Sequence, residues 1–130
     1  MTSVYGIGAE DRTPPLEPKG LTVFRDAEAV VKGVSMIIPA NRVVALVGPS
    51  GCGKTTFLKS FNRMNDLDDE VRIEGEVLLN GQDLYHPAVD PVEVRRRVGM
   101  VFQQPNLFPT SIFENVAFGP KVNRFAGDLD

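Results

Sequence analysis

Nine residues constrain this chain more than any others: Gly48-Pro49-Ser50-Gly51-Cys52-Gly53-Lys54-Thr55-Thr56, which satisfy G-x-x-x-x-G-K-[ST]. Glycines let a backbone curl so that successive N–H groups point inward at phosphate oxygens. A helix opening near Lys54 adds the positive end of its dipole. In such a loop the Lys54 ammonium reaches β- and γ-phosphates, and the Thr55 hydroxyl takes one Mg²⁺ position. The motif requires a strand before it and a helix after it. Val43-Val44-Ala45-Leu46-Val47 is an unbroken apolar run, which predicts a strand buried on both faces, as in a parallel sheet. Phe57, Leu58, Phe61 and Met64 recur at i, i+1, i+4 and i+7, which predicts an amphipathic helix with one apolar face. Against that context a plain glycine turn between strand and helix carries little weight. Cys52 contributes its backbone N–H; with no second Cys and no nearby His, a redox or metal role is set aside.

The remaining chain organises around this loop. Residues 1–20 carry Pro14, Pro15 and Pro18 without periodicity and predict an extended, flexible leader. Residues 21–130 form the folded part. Leu21 to Phe24 and Val30 to Ile38 are rich in β-branched and apolar residues and predict strands. Glu76 to Leu79 and Gln82 to Leu84 predict a hairpin, because Asn80-Gly81 tolerates the positive φ angles of a tight turn. Asp90-Pro91-Val92-Glu93 and Ser111-Ile112-Phe113-Glu114 have the spacing of helix starts. Between them Val98 to Phe102 predicts another buried strand. His86, the single histidine, falls in a solvent-facing loop before Pro87.

Composition excludes several classes. At 130 residues, 42% hydrophobic and 24% charged, the chain is an ordinary single-domain globular length, neither collagen-like nor mostly disordered. A net charge of -3 argues against a basic nucleic-acid module or a polybasic membrane binder. Arg95 to Arg97 therefore read as a solvated helix face, and no nucleic acid partner is expected. No apolar run approaches the roughly 18–20 residues that cross a bilayer, and the N-terminus lacks a secretion-signal pattern. The chain reads as soluble and intracellular.

Beyond the loop, Phe61-Asn62-Arg63-Met64-Asn65, Glu74 to Gly81, Arg95 to Gln103 and Ser111 to Pro120 carry a resemblance that covers about Leu21 to Pro120. These segments resemble the nucleotide-binding subunits of ATP-binding-cassette (ABC) transporters, and within them the phosphate-import subgroup. The loop is generic to the superfamily; the FNRMN and ENVAFGP runs are specific to the subgroup. The resemblance implies an α/β P-loop NTPase fold with an N-terminal antiparallel β subdomain, here incomplete. It implies ATP and Mg²⁺ as cofactors and a peripheral location on the cytoplasmic face of the cell membrane. It further implies transmembrane permease subunits and a second ATPase subunit as partners, with a phosphate-binding protein acting indirectly. Gln103 matches the Q-loop glutamine, which ligands Mg²⁺ and relays nucleotide state to the permease; a polar strand-end residue is the plain alternative. Pro105 to Phe118 would face the permease, with Phe108, Phe113 and Phe118 either interface or core residues.

Two departures stand out. The family places an aromatic residue against adenine upstream of the loop; by spacing that position is Arg25, 29 residues before Lys54, with Phe24 beside it. A guanidinium also stacks on adenine, so both remain candidates. Second, the 130 residues contain no LSGGQ and no apolar run ending in Asp-Glu. Phosphoryl transfer needs positioned metal and an oriented water, so this chain alone is expected to bind ATP without turning it over, with bared apolar surface and low solubility. Competing readings are an importer ATPase for another solute and a non-catalytic nucleotide-binding fragment. A small P-loop kinase or GTPase is less well matched, since no NKxD motif is present.

Overall fold

The computed structural model describes residues 16–124, so residues 1–15 of the expected leader lie outside the described residues. The described residues form two compact units that part between Gly99 and Met100.

The first unit is built on an antiparallel sheet. Strands β1 (Leu16–Arg25), β2 (Glu28–Val34), β3 (Val71–Leu79) and β4 (Gln82–Asp83) lie in the order β2-β1-β3-β4. Inward-facing residues of β1 recur at period 2, so Leu21 and Val23 are fully buried, against Val31 of β2 and Val77 of β3. β1 starts earlier than its sequence suggests. Leu16 to Gly20, expected to be leader, pair with β3 through Leu16↔Leu79 and Pro18↔Val77. Pro18 gives up one ladder donor, yet its ring is buried and its carbonyl accepts the Met36 N–H at 3.1 Å. Between Lys19 and Thr22 the register slips, opposite Gly75 at φ +90°. The β3–β4 turn is the expected one: Asn80 and Gly81 take φ 57° and 75° and bring Leu79 opposite Gln82.

Helix α1 (Lys54–Lys59) follows the glycine loop and is shorter than its apolar spacing predicts. Its last turn tightens, with Ser60 N–H donating to Phe57 O and Phe61 N–H to Leu58 O, both at 3.1 Å. Arg63 then enters the left-handed region at φ 58°, which no helix continues through, and Met64–Leu67 forms one 3₁₀ turn. The apolar face survives the break: Phe57 and Phe61 meet edge to face, centroids 4.8 Å apart, inside the core with Leu84 and Val94. Helix α2 (Pro91–Arg97) starts as expected, with the Asp90 carboxylate accepting the Val92 N–H at 2.9 Å.

Two expected strands do not form. Val43–Val47 runs between sheet and loop, but no strand of the described residues pairs with it. Its exposure alternates instead of vanishing: Leu46 packs on the core while Val43 is 96% exposed. Val98 to Phe102 is likewise unpaired, with Val101 98% exposed. An apolar run becomes a two-faced buried strand only where neighbours supply both ladder and cover.

In the second unit, helix α3 (Ile112–Val122) is capped by Ser111, whose hydroxyl accepts the Glu114 N–H at 3.1 Å. Asn115 holds the preceding loop, accepting the Phe108 N–H at 2.8 Å and donating to Phe108 O at 3.1 Å. That brings the Phe108 ring to 4.5 Å from Phe118. Phe113 is half exposed under the Lys121 ammonium, 5.7 Å away.

Candidate nucleotide-binding site

The glycine loop spans 48–53 and delivers the chain into α1. Gly51 and Gly53 take φ +78° and +91°, conformations that L side chains rarely adopt. Gly53 is also confined: a Cβ there would lie 2.7 Å from Val30 O and 3.3 Å from Val31 Cγ2. The loop is thus seated directly on β2. Its first helical bond, Phe57 N–H to Gly53 O at 2.8 Å, fixes where α1 begins.

The Lys54 ammonium folds back over this loop. It donates to Gly48 O at 2.8 Å and Pro49 O at 2.7 Å, and lies 3.5 Å from Cys52 Sγ. One cation is therefore held at the centre of the curl by loop carbonyls, where an incoming phosphate oxygen would meet it in a charge-assisted bond. Pro49, Ser50, Gly51, Cys52 and Thr55 are exposed, and Gly48, Gly53, Lys54 and Thr56 are half-buried. All nine motif residues consequently lie together, as their spacing predicts. Beneath the loop a cavity of about 330 Å³ is lined chiefly by Val30, Val31, Val34, Met36, Leu46 and Phe57.

The upstream candidates sit at the far end of the same hairpin. Arg25 pairs with Glu28 across the β1–β2 turn and forms an ion pair with Asp68 at 2.9 Å. Phe24 is half-buried, with the Arg72 guanidinium 4.1 Å from its ring centroid. From Glu28 to Val30 the strand advances about 7 Å, so β2 links the Arg25 turn to the residue that touches Gly53. In the second unit Gln103 occupies a bend with its side chain exposed, not the strand end expected for it. His86 is exposed, as expected, and its Nδ1 accepts the Ala88 N–H at 3.2 Å.

A model of the ABC transporter family matches residues 31–129. The chain belongs to the ABC transporter family. Three relatives illustrate the likeness. Phosphate import ATP-binding protein PstB 1 of Synechococcus sp. (strain JA-2-3B'a(2-13)) is 55% identical over 91% of this chain and 43% of its own length. Its counterpart from Synechococcus sp. (strain CC9605) is 58% identical over 88% of this chain and 42% of its own. The protein from Parasynechococcus marenigrum (strain WH8102) is 54% identical over 86% and 41%. The ABC chain thus spans less than half the length of these curated relatives.

Sequence reasoning on this ABC domain missed a polar cluster behind the loop. The buried polar residues among those described are Ser60, Asn62 and Asn65. They sit at the end of α1, where their spacing from Phe57 suggested continued helix. The one available signal was the density of residues whose side chains compete for backbone hydrogen bonds. Tyr85 closes the cluster, its hydroxyl donating to Ser60 O at 2.9 Å. Burial first, then the Asp66 carboxylate, pushes the Tyr85 phenol well above its usual range, so it stays a donor at any physiological pH.

Proposed function

We propose that this chain is the loop-bearing part of an ATP-binding, energy-coupling subunit of an importer for inorganic phosphate. The observation that carries the nucleotide assignment is the Lys54 ammonium, held over a loop whose Gly53 leaves no room for a side chain. Phosphate as the solute is supported by the likeness to phosphate import ATP-binding proteins.

In this reading the amides of 48–56 and Lys54 cradle the β- and γ-phosphates of ATP. Mg²⁺ would be held by the exposed Thr55 hydroxyl, which offers it an oxygen ligand beside the phosphates. No group of three or more His, Cys, Asp or Glu side chains gathers among the described residues. Mg²⁺ keeps several of its waters and is held by few protein groups plus phosphate oxygens. When bound it offsets charge on the triphosphate. Adenine would stack near the β1–β2 turn on Arg25 or Phe24, about 7 Å along β2 from the loop. Two such subunits pair so that each loop faces the other's signature motif, and closure drives the permease at the cytoplasmic face of the membrane. No helix among the described residues is long and apolar enough to cross a membrane. In this reading the Phe108–Phe118 patch is the surface that contacts the permease.

Disruption of the encoding gene tests the solute. Uptake of labelled phosphate at micromolar supply should fall several-fold and return with the intact gene, but not with a Lys54→Ala copy. Unchanged phosphate uptake with loss of another solute would overturn the assignment.

A further inference from the structure

Five side chains gather behind α1. Asn65 Nδ2 donates to Thr56 O at 2.9 Å and to Ser60 Oγ at 3.0 Å, and Ser60 Oγ donates to the same Thr56 O at 3.1 Å. Tyr85 donates to Ser60 O, and Arg63, 5.2 Å from the Tyr85 ring, donates to Leu84 O and Val89 O at 3.2 and 3.1 Å. From α2, Arg95 Nη2 reaches Arg63 O at 2.9 Å. Asn65 is 4% exposed and Ser60 fully buried.

Burying polar side chains is costly, and their hydrogen bonds return little net stability. The end of α1 leaves Thr56 O without a backbone donor, so Ser60 and Asn65 satisfy a carbonyl that the apolar packing of Phe57 and Phe61 cannot. What the polar groups add is direction. Thr56 is the last residue of the glycine-loop motif and follows Thr55, so two donors on its carbonyl fix the Thr56–Phe57 peptide, one residue beyond the hydroxyl assigned to Mg²⁺. Lys54 lies one residue further back, so its stem is oriented by the same clamp.

We infer that Asn65 is a positioning residue for phosphate binding: through Thr56 O it holds Lys54 and Thr55 in the orientation that receives the triphosphate. Tyr85 supports it through Ser60. Neither touches the ligand. The inference rests on the phosphate-loop reading above and adds a determinant outside the motif.

Magnesium tripolyphosphate, titrated calorimetrically into the 130-residue chain, isolates the phosphate interaction. Asn65→Asp keeps the shape but puts an acceptor where the donor to Thr56 O stood. Its Kd should rise about tenfold at unchanged stoichiometry, the fold-change of roughly one buried hydrogen bond. Tyr85→Phe, which keeps the ring under Arg63 and should fold, raises Kd two- to threefold. A purely structural role would lower melting temperature and the fraction of binding-competent chain while leaving Kd unchanged, which overturns the inference. If Asn65→Asp does not fold, Tyr85→Phe decides alone: wild-type Kd overturns it. A wild-type chain that binds no tripolyphosphate overturns the phosphate-loop reading itself, and this inference with it.

Discussion

Gly53→Ala will abolish MgATP capture while leaving the sheet folded. At φ +91° an alanine costs on the order of 1–3 kcal/mol. Its Cβ would also lie 2.7 Å from Val30 O, a backbone atom at the irregularity of β2 between Ala29 and Val31, not the yielding end of a flexible side chain. The loop must therefore lift off β2, and the amides and Lys54 lose the curl that aims them. Titration with a fluorescent ATP analogue should show affinity at least a hundredfold weaker, with a circular dichroism spectrum like that of the parent. Wild-type affinity would mean that the loop's seat on β2 is irrelevant to binding.

The largest effect on stability is expected at Gly75. There a Cβ would meet Gly20 O at 2.5 Å and Lys19 O at 2.7 Å, both in the most deeply paired strand of the sheet, at φ +90°. Gly75→Ala should cost roughly 3 kcal/mol or more, a large share of the ~5–15 kcal/mol of a typical domain. Gly81 provides the comparison: its φ is +75° but nothing lies within 4 Å of the added methyl. Gly81→Ala carries only the conformational term, about 1 kcal/mol. Urea midpoints measured at constant m-value separate the two. Equal shifts would show that backbone contact at the β1–β3 slip contributes nothing.

These positions also show what was legible beforehand. The glycine loop, the Asn80-Gly81 turn and the Asp90 and Ser111 caps could be read because their chemistry is local. Each rests on a φ angle or a hydrogen bond within a few residues. Val43–Val47 and Val98 to Phe102 were misjudged because a strand is a relation between segments, and no run of valines states what pairs with it. Pro18 was misjudged because prolines near a terminus suggest leader, whereas burial of its ring against β3 decided otherwise. Asn65 was passed over because an asparagine at helical spacing resembles surface. Only the turn forced by Arg63 at φ 58° brings it inward under Thr56. The upstream candidates Arg25 and Phe24 were found by spacing, but their partners Asp68 and Arg72 lie 43 and 48 residues along the chain and carry no local mark.

The central claim is that the Lys54 ammonium and the amides around it receive the anionic tail of a nucleoside triphosphate. Its most direct test is calorimetric titration of MgATP into the wild-type chain and into Lys54→Ala, with the fold of both verified by their amide spectra. The wild-type chain should bind one MgATP, and the variant should bind at least a hundredfold more weakly, because the one cation held at the centre of the curl is gone. Equal affinity in the two proteins, or no uptake by the wild-type chain, would contradict the account.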